Sequence, residues 1–118
     1  MTDSLAAPFV DQADIPWKPH QRYPSVDFKP LISADDNAYA SVAMVRFPSG
    51  GVIGLHAHPK EIETIYCLAG TGEFTLDGRE FSFSSGQIIA VPAGVEHGLR
   101  NERAEDLLII TFFTPPLF

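Results

Sequence analysis

Residues 50–70 read GGVIGLHAHPKEIETIYCLAG, and this stretch decides how the rest of the chain is read. His56 and His58 are separated by one residue, so on an extended strand both rings project from one face. Pro59-Lys60 then breaks the run, Glu63 follows, and an apolar stretch ends at Gly70-Thr71-Gly72. Another histidine, His97, arrives just past the turn signal Pro92-Ala93-Gly94. Three imidazoles and one carboxylate make a common donor set for a divalent first-row metal. His56, His58, Glu63 and His97 are therefore the predicted ligands. Glu61 competes with Glu63 if its strand begins early. His20, in a proline-rich setting, is read as an ordinary histidine.

Working outward, short apolar stretches separated by turn residues continue from about residue 26, a rhythm that predicts an all-β sandwich or barrel. Ser41–Phe47 ends at Pro48-Ser49-Gly50-Gly51, and strands are expected at 52–58 and 62–68. Asp77-Gly78 between 73–76 and 79–83 is a strong two-residue hairpin signal. Further strands are expected at 87–91, 97–101 and 107–113. No segment carries a helical period, an internal repeat or a low-complexity tract. Residues 1–25 hold Pro8, Pro16, Pro19 and Pro24, and proline removes backbone donors. They read as an extended arm, with 26–118 as the barrel domain. Phe9 and Trp17 give that arm a reason to pack on the barrel or on a neighbouring subunit.

At 118 residues the chain is long enough for one domain with a substantial core. It is 45% hydrophobic and 19% charged, as in an ordinary soluble protein, and its nine Phe suggest a ring-rich interior. The net charge of −7 argues against nucleic acid and against an anionic membrane surface. The single cysteine, Cys67, excludes an internal disulfide and suits a reducing compartment. Its expected place is a buried apolar site, with the cavity wall as the alternative. The N-terminus has neither the basic nor the apolar segment of a secretory signal, and no apolar run approaches a membrane span. The expected location is the cytoplasm.

Gly50, His56, His58, Glu63 and Gly70 match G-x5-H-x-H-x4-E-x6-G, and Gly86, Pro92, Gly94, His97 and Asn101 match G-x5-P-x-G-x2-H-x3-N. These are the two motifs of the cupins, and with the short spacer 71–85 the chain resembles small single-domain bacterial cupins. The resemblance implies a jelly-roll barrel (a double-stranded β-helix) of six to eight strands with one metal inside. It implies manganese or iron first, with nickel, copper, zinc and cobalt possible. Asn101 reads as a turn-stabilising residue. Arg46 and Lys60 read as exposed basic side chains, with contact to an anionic substrate as the alternative.

Face-sharing on three strands brings the same four ligands together. His56 pairs with His58, Glu63 with Ile65 and Cys67, and His97 with Leu99 and Asn101. Four protein donors on a six-coordinate ion leave positions for a chelating or anionic small molecule. Ile65, Val91 and Leu99 are the expected apolar lining.

Such a site predicts a metal-dependent enzyme, foremost a dioxygenase or other oxidoreductase on a small chelating or anionic substrate. An isomerase or lyase on a sugar or carboxylate derivative would need an added proton-transfer residue. Tyr66 has the wrong parity for that role, and Tyr23 and Tyr39 are not placed by the sequence. A metal-containing binding or sensory module is the other reading; a purely structural role fits poorly with a complete ligand set. The resemblance also implies a homodimer, and exposed sheet edges give it a physical motive.

Overall fold

The computed structural model describes residues 7–118, and the opening six residues of the expected arm, with the expected absence of a signal there, lie outside them. Alternation sets the architecture. In β3 (Ser41–Phe47), Ser41, Ala43, Val45 and Phe47 face inward. In β10 (Leu107–Thr114), Leu107, Ile109, Thr111 and Phe113 do so. In β5 (Ile62–Ala69) the inward set is Glu63, Ile65 and Cys67. These strands share a six-stranded sheet with β1 (Lys18–Pro19), β2 (Asp27–Ile32) and β8 (Ile88–Val91), in the order β1-β2-β3-β10-β5-β8. The facing sheet has β4 (Val52–His56), β6 (Thr71–Leu76), β7 (Arg79–Ser84) and β9 (His97–Arg100), in the order β4-β9-β6-β7. All pairings are antiparallel. No helix among the described residues is long and apolar enough to cross a membrane.

The hairpin at Asp77-Gly78 forms as expected, with φ of 48° and 78° at its two central residues. Positive φ at both positions matches the right-handed twist of the flanking strands. Three expectations are corrected. The strand expected over 52–58 ends at His56, so His58 sits in the following loop. The strand count rises to ten because β1 and β2 join the sheet. β2 reads DFKPLI, and a lysine and a proline within six residues hide its period. Val91 is fully packed in the core rather than in the cavity wall.

The interior divides along the strands. Its closed part is filled by Cys67, Leu107, Phe74, Phe83, Val26 and Val91. Cys67 thus takes its expected buried place. Toward Glu63, Thr111 and His97 the interior opens into a cavity. The arm meets the barrel from Gln12 onward, whereas Phe9, expected to help it pack, is 68% exposed. Lys29, only 4% exposed, donates from Nζ to the backbone oxygen (2.9 Å) and Oε1 (2.8 Å) of Gln12. The cations of Lys29 and Arg46 each stand 4.5 Å from the ring centre of Trp17. Lys18 and Pro19 then pair with Phe28 and Asp27.

Candidate metal centre

Each predicted ligand reaches the cavity floor by its own route. Glu63 is an inward position of β5, and His97 begins β9 directly opposite His56. His56 arrives through a bulge. Ile53 pairs with Leu99 and His56 with His97, so β4 spends three steps where β9 spends two. The extra residue re-aims the strand and turns Ile53 and His56, of opposite parity, to the same cavity. Gly98 makes this possible, because a Cβ there would stand 3.0 Å from the Ile53 oxygen and 3.2 Å from the Gly54 carbonyl carbon. His58 is held from the loop: the Gly94 amide donates to its carbonyl at 2.8 Å, and Phe113 meets its ring edge-on at 5.2 Å.

One potential ligand atom from each of the four residues lies within 4.8 Å of the others. His56 Nε2 is 3.2 Å from His58 Nε2, and Glu63 Oε1 is 2.8 Å from His97 Nε2 and 3.4 Å from His58 Nε2. The outer edges of two rings are tied down. His56 Nδ1 contacts the Gly54 carbonyl at 2.8 Å and His97 Nδ1 the Val95 carbonyl at 3.0 Å. A carbonyl only accepts, so Nδ1 carries the hydrogen, and in the neutral rings Nε2 presents its lone pair. Lone pairs facing one another and a carboxylate repel unless a cation lies among them. The donor set therefore fits a divalent transition ion, and its chemistry excludes an ion that requires oxygen donors alone.

Without that ion, protons answer the same repulsion. Burial disfavours the Glu63 charge, but contacts from His58, His97 and Thr111 outweigh it and lower the carboxyl to about 2. Burial also pushes the His56 ring down, with the Gly54 carbonyl opposing. His97 is pushed down by burial yet ends above its ordinary value, because Glu63 and the Val95 carbonyl hold its proton.

Thr111 is a site residue that sequence reasoning missed. Its hydroxyl donates to Glu63 Oε2 at 2.6 Å and leaves Oε1 to face the histidines. The available signal was a lone polar residue at an inward position of the apolar strand β10. Glu61 does not join the cluster; it lies in the loop before β5, and its Oε1 is buried without a partner among the described residues. Asn101 stabilises turns, donating to the Phe47 and Glu105 carbonyls at 2.9 and 2.8 Å and accepting from the Arg103 amide at 2.9 Å. Arg46 pairs with Asp27 at 2.9 Å on the outer sheet face, and Lys60 is exposed in a loop. Tyr66 faces outward and Tyr39 is 80% exposed, whereas Tyr23 lines the cavity.

The cavity above the cluster has a volume of about 720 Å³. Ile65 and Leu99 line it as expected, joined by Phe28, Phe47, Ile109 and Phe113.

Comparison with known proteins agrees with this geometry. An oxalate-binding protein of Thermotoga maritima is 32% identical over 65 residues, which cover 55% of this chain and 54% of that relative. A mannose-1-phosphate guanylyltransferase of Escherichia coli is 34% identical over 61 residues, 52% of this chain but 13% of that much longer protein. The chain thus matches about half, or far less, of these relatives' lengths. Among solved structures, a predicted oxalate decarboxylase from Thermotoga maritima superposes with a TM-score of 0.82 at 25% identity, covering 91% of this chain and 98% of the other. The family model for the cupin domain matches residues 43–113, from inside β3 to near the end of β10, and so takes in every predicted ligand. The chain belongs to the cupin domain family.

Proposed function

We propose that the protein is a metal-dependent enzyme in which His56, His58, Glu63 and His97 hold one divalent transition ion, manganese or iron by preference. Its substrate is a small organic anion that chelates the ion, and its reaction class is an oxygenase or related oxidoreductase. The observation that carries this reading is the convergence of four donor atoms at the floor of an apolar cavity of about 720 Å³. A bound ion there supplies Lewis acidity, open positions for substrate and oxygen, and an electron route if it is redox-active. The protein's own residues do the rest. Thr111 and the two backbone carbonyls orient the ligands, as partners behind metal ligands generally do. The apolar walls exclude water and strengthen the electrostatics within.

A second reading is favoured by the oxalate-binding relative and the predicted oxalate decarboxylase: a module that binds or decarboxylates a small dicarboxylate. One experiment separates the two. Purified protein is assayed for metal by elemental mass spectrometry, loaded with manganese or iron, and screened for oxygen consumption against diketones, phenols and sugar acids. Stoichiometric metal with oxygen uptake supports the oxygenase. Stoichiometric metal with oxalate binding and no oxygen uptake supports the module. Protein that refuses every metal removes both.

We also infer a homodimer. Ile88, Tyr66, Ile110 and Met44 stand in register across β8, β5, β10 and β3, on the sheet face turned away from the core. Ile88 is 63% exposed on an edge strand, a position that solution favours covering.

A further inference from the structure

The cavity has a second polar wall, which the metal-binding strands do not provide. Its residues come from the arm: Lys18, His20, Arg22 and Tyr23 all line the cavity. His20 is pinned in one tautomer. Its Nδ1 accepts from the amides of Arg22 (3.1 Å) and Tyr23 (3.2 Å), so the ring carries its hydrogen on Nε2. The ring packs against Tyr23 and Phe28, with centroids 5.3 and 5.4 Å away. Tyr23 in turn lies 5.9 Å from the His56 ring and rests over Gly54, where a Cβ would meet its ring at 3.6 Å. Neither His20 Nε2 nor the Tyr23 hydroxyl has a partner among the described residues.

Charge points the same way. In a chain of net charge −7, the cavity is lined by two basic side chains, Lys18 and Arg22, and by one acidic side chain, Glu63, which faces the histidines. Apart from Gln21, Ser33, Thr111 and the histidines, the remaining wall is mostly apolar and aromatic. Oxalate, two linked carboxylates and nothing else, would leave most of the space unfilled. A ligand with an apolar body would bury that body against Phe28, Phe47 and Ile109.

We propose that the arm loop 18–23 is part of the binding site. The His20 Nε2–H and the Tyr23 hydroxyl bind the carboxylate oxygen of an organic acid that chelation leaves free. The chelating end of that acid lies at the histidine–glutamate cluster, and its body is aromatic or branched apolar. This rests on the metal-dependent reading above and adds the substrate class and two specificity-determining residues. His20, an ordinary histidine by sequence, thereby acquires a role as a fixed donor.

Two variants isolate the donors from the packing. His20→Asn keeps an acceptor that can serve the Arg22 and Tyr23 amides and removes the far N–H. Tyr23→Phe keeps the ring over Gly54 and removes the hydroxyl. Full-length protein loaded with manganese is titrated calorimetrically with benzoylformate, a 2-oxo acid bearing a phenyl ring, and with oxalate.

Wild type is expected to bind benzoylformate at least about tenfold more tightly than oxalate, from burial of the ring. Each variant is expected to weaken benzoylformate about 10- to 100-fold, the worth of one hydrogen bond to a charged oxygen. Manganese content and melting temperature should stay at the wild-type level. Variants that bind benzoylformate as wild type does overturn the donor assignment. Oxalate binding as tightly as benzoylformate, or no binding of either, overturns the substrate class. Failure to take up manganese sinks the underlying metal reading and this inference with it. Uptake without discrimination sinks this inference alone.

Discussion

Glu63 is the residue on which the centre turns, and Thr111 is what aims it. Glu63→Gln keeps the shape and removes the charge that balances the ion, so the variant should purify with less than about a tenth of the wild-type metal, by elemental mass spectrometry. Thr111→Val removes only the 2.6 Å hydrogen bond to Oε2. It should fold normally and bind metal about 10- to 100-fold more weakly in competition with a chromogenic chelator, the usual cost of losing a partner behind a ligand.

Protonation gives a third prediction at this scale. His56 has a folded pKa below its ordinary value, chiefly from burial, so the folded chain binds fewer protons than the unfolded one as pH falls through about 6.5. Its contribution to stability is present above that pH and is lost below it. Ligation drives all three imidazoles in the same direction. Glu63, lowered to about 2, keeps its contribution until pH falls from the ordinary glutamate range toward 2, and so it is not the group that fails first. His97 in the ion-free chain has the opposite sign. Its raised pKa contributes stability below about 6.5 that is lost as pH rises through the folded value. Melting curves between pH 8 and 5 should therefore fall more steeply for loaded than for chelator-treated protein, with metal released on the way. Equal melting temperatures with and without chelator at pH 7.5 would contradict a stabilising ion.

The clustering of the four candidate ligands was readable because each belongs to a short local pattern with fixed spacing. Thr111 was not, since it meets Glu63 across the β5–β10 ladder from 48 residues away in sequence. Tyr23 was invisible for the same reason.

Among the elements, β4 shows best what spacing alone conceals. The H-x-H pattern reads as one face of a straight strand, yet the strand bulges before His56 and stops there. The ligands still converge, because the bulge restores what the parity of Ile53 and His56 denies, and the Gly94 amide holds His58 from outside the strand. Gly54 was the sequence signal for this irregularity, since glycine inside a strand often marks a bulge. Gly98→Ala tests the arrangement. Its methyl would press on the Ile53 backbone oxygen at 3.0 Å, which has little freedom to yield. We expect a loss of about 1–3 kcal/mol in denaturant unfolding, with reduced metal content because His56 shifts. Strands with clean alternation, such as β3 and β10, and the Asp77-Gly78 hairpin were plain from sequence. β2 was not, because its Lys29 is buried under Gln12 and Trp17, a long-range arrangement that no local period reports.

For the whole molecule, the outer face of the large sheet decides whether the chain works alone. The inferred dimer predicts a mass near twice 12.9 kDa by light scattering at micromolar concentration. Tyr66→Glu together with Ile88→Lys should leave a folded monomer with full metal content, because neither side chain faces the cluster. A wild-type monomer at high concentration would refute the pairing.

The arm has a wider consequence. The ion would be held by β4, β5, β9 and the loop after β4, whereas the mouth of the cavity is finished by a stretch of chain preceding β2. That stretch is fastened to the barrel by Gln12 on Lys29, by Trp17 and by a two-residue ladder, none of which touches a ligand. On the proposed reading, chemistry and selectivity are therefore written in separate paragraphs of the chain. On that reading a lineage, or a designer, could rewrite residues 18–22 to admit a different acid, sparing Tyr23 because it packs 5.9 Å from the His56 ring.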